Sequence, residues 1–291
     1  MNPSKKPEWF RKTISLKDLT EMRKFIKEYN LNTVCEEAAC PNRGECYKDK
    51  TLTVMILGQT CTRNCKFCNV EKKKPDKVDE DEPYRVAEAL SKLSLDYVVI
   101  TSVTRDDLKD SGAEHFAKTI TEFKKKNPDT VLEVLVPDFL HSIDKVVDAQ
   151  PDVISHNMET VFRLYEKVRP QANYHRSIKL LEVVKKIDPK IYTKSGIMVG
   201  LGEAYGEVME LMFDLKKINC DIVTVGQYAR PSKEHIEVAE WIHPDIFEDY
   251  KEDLESMKFL HVEVGPYVRS SFHAANFLKK ISKEENVRWK N

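Results

Sequence analysis

Six of the seven cysteines lie between residues 35 and 68, in two tight trios. Cys61, Cys65 and Cys68 are spaced C-x3-C-x2-C in the stretch CTRNCKFC, and Cys35, Cys40 and Cys46 are spaced C-x4-C-x5-C. Thiols this close in sequence, in a reducing compartment, suit a shared metal better than disulfides across a fold. Zinc is one reading, but a structural zinc site is closed by four ligands. Each trio supplies three, and one zinc drawing on four of the six cysteines leaves two without a role. Iron with sulfide is the better account. A cubane cluster is normally held by four thiolates, so three leave one iron open to a small molecule bearing an amine and a carboxylate. The trio at 61–68 follows an apolar run at 53–57 and Gly58, the pattern of a loop at a strand end. Cys220, alone among apolar residues in KKINCDIV, reads as a buried core thiol.

Such a loop needs a frame. The chain has 291 residues, which fits two domains or a single α/β barrel. It is 41% hydrophobic and 33% charged, enough for a sizeable core beneath a densely charged surface. A net charge of -1 gives no global argument for binding nucleic acid or a membrane. No apolar run approaches the roughly 18–20 residues of a membrane span. The first residues lack the apolar core of a secretory signal and the Arg- and Ser-rich character of a transit peptide, so the expected location is cytoplasmic.

From residue 51 short apolar runs alternate with amphipathic stretches. The runs at 51–58, 96–103, 131–137, 151–157, 191–200 and 221–228 predict six strands. Helices are expected at 84–93, 113–125, 143–149, 160–167, 177–187 and 206–217. Six strand–helix units argue for a parallel sheet closed into a barrel. Before them, Ser15 and Asp18 resemble a helix start, with Leu19, Met22, Phe25 and Ile26 on one face, and 31–44 looks irregular. After residue 230 a helix is expected at 245–257, followed by the short run HVEVGP and a charged, fraying end. The charged run 72–82 reads as a solvated loop. The strand ends collect polar residues: TSVTRDD after the second, HNMET after the fourth, GLGE after the fifth and GQYARPS after the sixth. In a parallel barrel these loops converge on one face, where active sites lie, so the cysteine loop opens into the same mouth.

The loop CTRNCKFC, with Phe67 before its last cysteine, resembles the motif of the radical S-adenosylmethionine (SAM) superfamily. With the upstream C-x4-C-x5-C trio, and with Arg269, Ser270, Ser271 and Phe272 near the C-terminus, the chain resembles lipoyl synthases. The segments EAACPNRGEC, TSVTRDDLKDSGAEHF, HNMETV, RPQANYHRS, KSGIMVGLGE and GQYARPS follow in that family's order. Phe272 departs from the family's tyrosine, and EVGP stands where Ser-Gly-Pro is expected.

The resemblance implies a partial (β/α)6 TIM-type barrel of the radical SAM kind at 51–230. An N-terminal extension, 1–50, and a C-terminal extension, 231–291, would cover its mouth. It implies two 4Fe-4S clusters. Cys61, Cys65 and Cys68 would hold the one that binds SAM. Cys35, Cys40, Cys46 and Ser271 would hold an auxiliary cluster that donates sulfur. The implied reaction inserts sulfur at C6 and C8 of an octanoyl chain on a lysine of a carrier. The implied partners are the glycine cleavage H protein or an E2 subunit of a 2-oxoacid dehydrogenase, an electron donor and an iron–sulfur carrier for cluster repair. No nucleic acid or membrane partner is expected. Phe67, Thr101, Ser102, Asn157, Glu159, Lys194, Gln227 and Arg269 are candidate contacts to SAM or substrate. Each polar one has a blander reading as a helix cap, and Lys194 equally as a salt-bridge partner. His156 reads as a hydrogen-bonded structural residue, and His235 and His243 as surface or packing residues. The competing functions are another radical SAM sulfur-inserting enzyme, such as a biotin synthase or methylthiotransferase, a non-catalytic iron–sulfur carrier, and a zinc-stabilised module.

Overall fold

The alternation of apolar runs and amphipathic stretches folds into strands and helices in turn. The computed structural model describes residues 5–10, 16–38, 40–48, 51–93, 95–139, 141–272, 274 and 276. The elements before the barrel are α1 (Leu16–Glu28), β1 (Asn32–Thr33), α2 (Val34–Glu37) and α3 (Arg43–Lys48). Then come β2 (Thr53–Ile56), α4 (Glu82–Ser91), β3 (Tyr97–Ser102), α5 (Ala113–Lys126), β4 (Val131–Leu135), α6 (Ile143–Asp148) and β5 (Val153–Ser155). The remainder is α7 (Tyr165–Val168), α8 (Tyr174–Ile187), β6 (Tyr192–Val199), α9 (Tyr205–Lys217), β7 (Ile222–Gln227), α10 (Pro244–Ser256) and β8 (His261–Gly265).

All six expected strands form. They lie in one eight-stranded sheet in the order β1 to β8, parallel from β2 onwards. Two strands exceed the six. HVEVGP becomes β8, which pairs with β7 in the register Ile222↔His261. The two residues of β1 pair antiparallel with β2. The expected closure does not hold: β1 and β8 share no ladder among the described residues, so the barrel is open. The sheet is nonetheless curled. Tyr97 and Val99 of β3 meet Ile222 of β7 in one inner cluster with Val131 and Val153, and Leu260 and Ala274 pack against it. The alternate residues Val98, Ile100, Leu132, Val134 and Ile154 face outward into the main core, with Phe116, Ile120 and Phe123 of α5. This is the period-two division of a strand between two faces.

Four other expectations change. The stretch 31–44 is not irregular, because Thr33 caps α2 by accepting the Glu36 N–H at 3.3 Å. The helix expected at 160–167 is a 3-10 turn, Phe162–Leu164, followed by α7. Helix α8 starts three residues early, at Tyr174, where Asn173 accepts the Arg176 N–H at 2.9 Å. In the charged run 72–82, Glu82 is buried while most of its neighbours are exposed. Ser15 and the charged end beyond 276 lie outside the described residues.

Candidate active site

The cysteine loop leaves β2 through Leu57, which adopts a left-handed φ of 68°. A β-carbon makes that conformation costly, and two buried charged groups hold it. The Leu57 N–H donates to the Glu82 carboxylate at 2.7 Å, and its carbonyl accepts from Arg105 at 3.2 Å. His115 lies 2.8 Å from the same Glu82 oxygen. Thus Glu82 of α4, absent from the sequence-based candidates, fixes the angle at which the loop starts.

The loop is then tied to four neighbouring segments. The Thr62 N–H donates to the Thr104 carbonyl after β3 at 3.0 Å. Arg63 makes a two-pronged pair with Asp106, both bonds 2.8 Å, and pairs with Asp138 after β4. Asp138 also accepts from Arg176 of α8 at 2.8 Å. The Lys66 N–H donates to the Val168 carbonyl at 2.9 Å, and the Ile236 N–H to the Lys66 carbonyl at 3.0 Å. His235 reaches the Cys68 carbonyl at 3.1 Å, so it is a packing residue of the loop. Arg63 was legible in one respect: a guanidinium between two cysteines must be paired if the loop is buried.

Around the three thiols the groups suit a ligated sulfur. The Cys61 sulfur accepts the N–H groups of Arg63 at 3.5 Å and Thr104 at 3.4 Å. Burial pushes the Cys68 thiol up to about 12, against the Val70 N–H. Burial also raises Cys65, with Arg169 pulling the other way. A buried thiol this reluctant to ionise releases its proton when a metal takes its place. All seven cysteines are free, and Cys220 is a buried thiol pushed up to about 12 by burial. Among the described residues no three His, Cys, Asp or Glu side chains converge on one ion. The mouth also holds buried polar atoms with no partner: Ser102 Oγ, Asn157 Oδ1 and Arg169 Nε. Such atoms are rare in folded proteins and call for a partner, which a polar ligand here would supply. Three thiols on one loop and three unpartnered polar atoms at the strand ends suit, by their chemistry, a cluster with a polar small molecule beside it.

The other candidates divide. Asn157 donates to Glu159 at 3.1 Å and to Ser270 Oγ at 3.3 Å, which brings HNMET and the Arg269–Ser270–Ser271 stretch together. Burial raises the Glu159 carboxyl, while Arg169, Asn157 and Arg269 oppose it. Burial lowers Arg269, and the charges of Cys40 and Glu159 support its protonation. Arg269 therefore lies within electrostatic reach of Cys40. Phe67 packs half-buried against the core, Thr101 spends its hydroxyl on the Leu135 carbonyl at 2.8 Å, and Ser271 and Phe272 are half-buried. Gln227 is withdrawn from the mouth. Its amide donates to the carbonyls of Val199, Tyr228 and Glu240 and accepts the Ile242 N–H. Lys194 is also withdrawn: it lies inside the barrel, paired with Glu133 at 2.8 Å.

Two further ties join segments before the first barrel strand to the segment after β8. Asn42, between Cys40 and Cys46, donates to the Tyr267 carbonyl at 2.7 Å. The Tyr267 ring stacks on Phe10 at 4.7 Å and 5°. The same segment crosses Gly226 so closely that a β-carbon there would land on the Val268 carbonyl oxygen. A Gly226→Ala variant should lift the 268–271 segment. If the chain acts as the resemblance implies, the variant should lose sulfur-inserted product about tenfold or more while still cleaving SAM. Parallel assays of 5′-deoxyadenosine and of sulfur insertion into an octanoyl-lysyl peptide check this, and an unchanged product yield counts against it.

His156 is buried between the Val136 carbonyl and Ser177 Oγ, each at 2.9 Å, as the sequence led us to expect. Burial and then Arg169 lower it from 6.5 to about 4. Between those values the unfolded chain binds the proton and the folded chain does not. The stability is therefore fully present above about pH 6.5 and is lost as the pH falls towards 4, by about 3 kcal/mol in total. Urea midpoints at pH 7 and 4.5 should show this loss. A His156→Gln variant should show a shallower decline, and an equal decline in both proteins excludes His156 as the source.

A family model described as the radical SAM superfamily matches residues 55–215. A curated lipoyl synthase from Caldanaerobacter subterraneus subsp. tengcongensis is 58% identical over 273 residues, 93% of this chain and 96% of that protein. One from Caldicellulosiruptor saccharolyticus is 54% identical over 285 residues, 97% of this chain and 100% of its own. The chain belongs to the lipoyl synthase family. As radical SAM enzymes, lipoyl synthases bind SAM and a 4Fe-4S cluster. Solved structures agree on the fold. Streptococcus suis SuiB matches with a TM-score of 0.58 at 12% identity, over 88% of this chain and 56% of that one. Methylornithine synthase (PylB) matches at 0.56 and 14%, over 71% of this chain and 62% of its own. Among the described residues no helix is long and apolar enough to cross a membrane.

Proposed function

We propose that this chain inserts two sulfur atoms, at C6 and C8, into an octanoyl group carried on the lysine of a protein domain. Cys61, Cys65 and Cys68 would hold the cluster beside SAM; Cys35, Cys40, Cys46 and Ser271 would hold a second 4Fe-4S cluster. When bound, these groups supply the electron that cleaves SAM to methionine and a 5′-deoxyadenosyl radical, and the sulfur that the substrate receives. A radical is needed because an unactivated alkyl carbon offers no acidic proton and no leaving group to polar catalysis. The chain's own part is to hold, orient and shield. Arg63, with Asp106 and Asp138, fixes the loop of the SAM site. Ser102, Asn157 and Arg169 offer unspent hydrogen-bonding atoms to a polar ligand. Asn157 and Glu159 sit between that site and the segment bearing Ser271.

One observation supports this reading: the segment bearing the first trio bonds to the segment before Ser271, and that segment bonds to a strand end of the barrel. Asn42, between Cys40 and Cys46, bonds to Tyr267, and Ser270, next to Ser271, accepts from Asn157. A radical made at one trio must reach sulfur at the other through a shared substrate space, and two such contacts are what that reading expects. The partners would be an octanoylated H protein or E2 lipoyl domain, an electron donor and an iron–sulfur carrier that rebuilds the second cluster.

The test is anaerobic turnover of an octanoyl-lysyl peptide by protein carrying about eight irons, two clusters of four. Thiolated and then lipoylated peptide should appear with two 5′-deoxyadenosines per lipoyl group. Absence of any thiolated product with both clusters intact rejects the reading. Ser271→Ala should keep most SAM cleavage and lose product at least about tenfold, since the removal of even outer partners of a metal site costs that much. A normal product yield in that variant denies Ser271 its role.

A further inference from the structure

One carboxylate beside the first cysteine trio takes four hydrogen bonds. Glu36, next to Cys35 in α2, accepts from Arg23 Nε at 3.2 Å and a terminal Arg23 nitrogen at 2.9 Å. It also accepts from Arg43 at 3.1 Å and from the Tyr47 hydroxyl at 3.1 Å. Arg23 belongs to α1, while Arg43 and Tyr47 belong to α3. A two-pronged guanidinium–carboxylate pair is among the more directional side-chain contacts. Glu36 therefore fastens three helices around the backbone that bears Cys35, Cys40 and Cys46. Its own N–H is spent on the Thr33 cap. None of these bonds uses a thiol.

That matters for a site that gives up its cluster. Where metal ligation alone shapes a loop, losing the metal unfolds the loop, as in small zinc domains. Each refilling would then also have to refold it. A loop shaped by its own carboxylate and guanidinium groups can be refilled without that cost in ordering entropy. We infer that Glu36 is a positioning residue which keeps the helices bearing the first trio together independently of the cluster, so that the site can be reloaded after each turnover. This rests on the reading that the first trio holds the sulfur-donating cluster.

The full-length protein is stripped of iron with a chelator and reductant. It is then reloaded anaerobically with ferrous iron and sulfide while iron content is followed over time. Wild type should return to about eight irons. Glu36→Ala should regain about four promptly and the rest at least about tenfold more slowly. It should make 5′-deoxyadenosine at the wild-type rate throughout, which also certifies that the barrel is folded. Glu36→Gln, which keeps one acceptor oxygen, should recover part of the reloading rate. If Glu36→Ala does not fold, Arg23→Met and Arg43→Met each remove one side of the pair, and the reloading delay must appear in them. Wild-type reloading of both clusters in Glu36→Ala overturns the proposal, as does equal slowing of both. A wild-type protein that never exceeds about four irons overturns instead the reading of the first trio beneath it.

Discussion

A protein with Cys35, Cys40 and Cys46 all changed to alanine should retain about four irons, cleave SAM to 5′-deoxyadenosine, and form no thiolated peptide. The separation is expected because the two trios are held by different parts of the chain. The Cys61–Cys68 loop is anchored through Glu82, Arg105, Asp106, Asp138 and Val168, all within the barrel and its loops. Its side-chain ties to the N-terminal segment are exposed ones: Asn69 bonds to the Glu37 carbonyl at 2.7 Å, and Gln59 to Asn32 at 2.7 Å. Cys35 is buried, so its loss removes some packing, on the order of 1 kcal/mol for a small truncation. The Glu36 bonds that shape α2 and α3 remain. The radical half should therefore survive, and the effect should fall on the sulfur half alone. Iron analysis, deoxyadenosine assay and mass spectrometry of the peptide read the three outcomes separately. A triple variant with no iron at all would falsify the two-site arrangement, because one trio would then depend on the other.

The course of the barrel was legible because its code is local. Apolar β-branched runs set the strands, and polar residues gathered at their C-terminal ends, so TSVTRDD, HNMET and GQYARPS all emerge on one face. The cysteine spacing was equally local. What the sequence hid was long-range pairing. Nothing near Glu82 announces that it will take the N–H of Leu57, twenty-five residues away. Asp138 is an ordinary loop residue until Arg63 and Arg176 arrive from other units of the barrel. Gln227 looked like a strand-end contact by position, and β7 does end there. Yet the chain beyond it turns back, and the Glu240 carbonyl and Ile242 N–H capture its amide. The open barrel has the same origin. Periodicity reports that a strand exists, but the partner of an edge strand is decided by the whole sheet, and among the described residues β8 extends it without pairing with β1.

Lys194 offers the sharpest contrast between the two kinds of role that its position allowed. It lies in the barrel bore with 3% of its side chain exposed, against Glu133 with none. The same carboxylate accepts from the Tyr97 hydroxyl at 2.5 Å and from Ser155 at 2.5 Å. Burial and the Glu133 charge hold the Tyr97 phenol well above its usual value, so it stays a donor. Four neighbouring strands, β3 to β6, are thus pinned by one carboxylate. Breaking a buried pair leaves an uncompensated charge and costs about 3–5 kcal/mol. Lys194→Met should therefore lower the melting temperature by on the order of 10 °C. A Glu133→Gln, Lys194→Met double variant should recover most of that loss. The amide that replaces the carboxylate would still accept from Tyr97 or Ser155, and no charge would be stranded. A residue that instead gripped SAM or the substrate would behave in the opposite way. Its methionine variant would melt near the wild-type temperature, bind SAM poorly and gain nothing from the second change. Calorimetry of the three proteins, with SAM binding measured beside it, decides between them. A single variant with unchanged melting and weakened SAM binding would move Lys194 out of the barrel's interior support and into its active site.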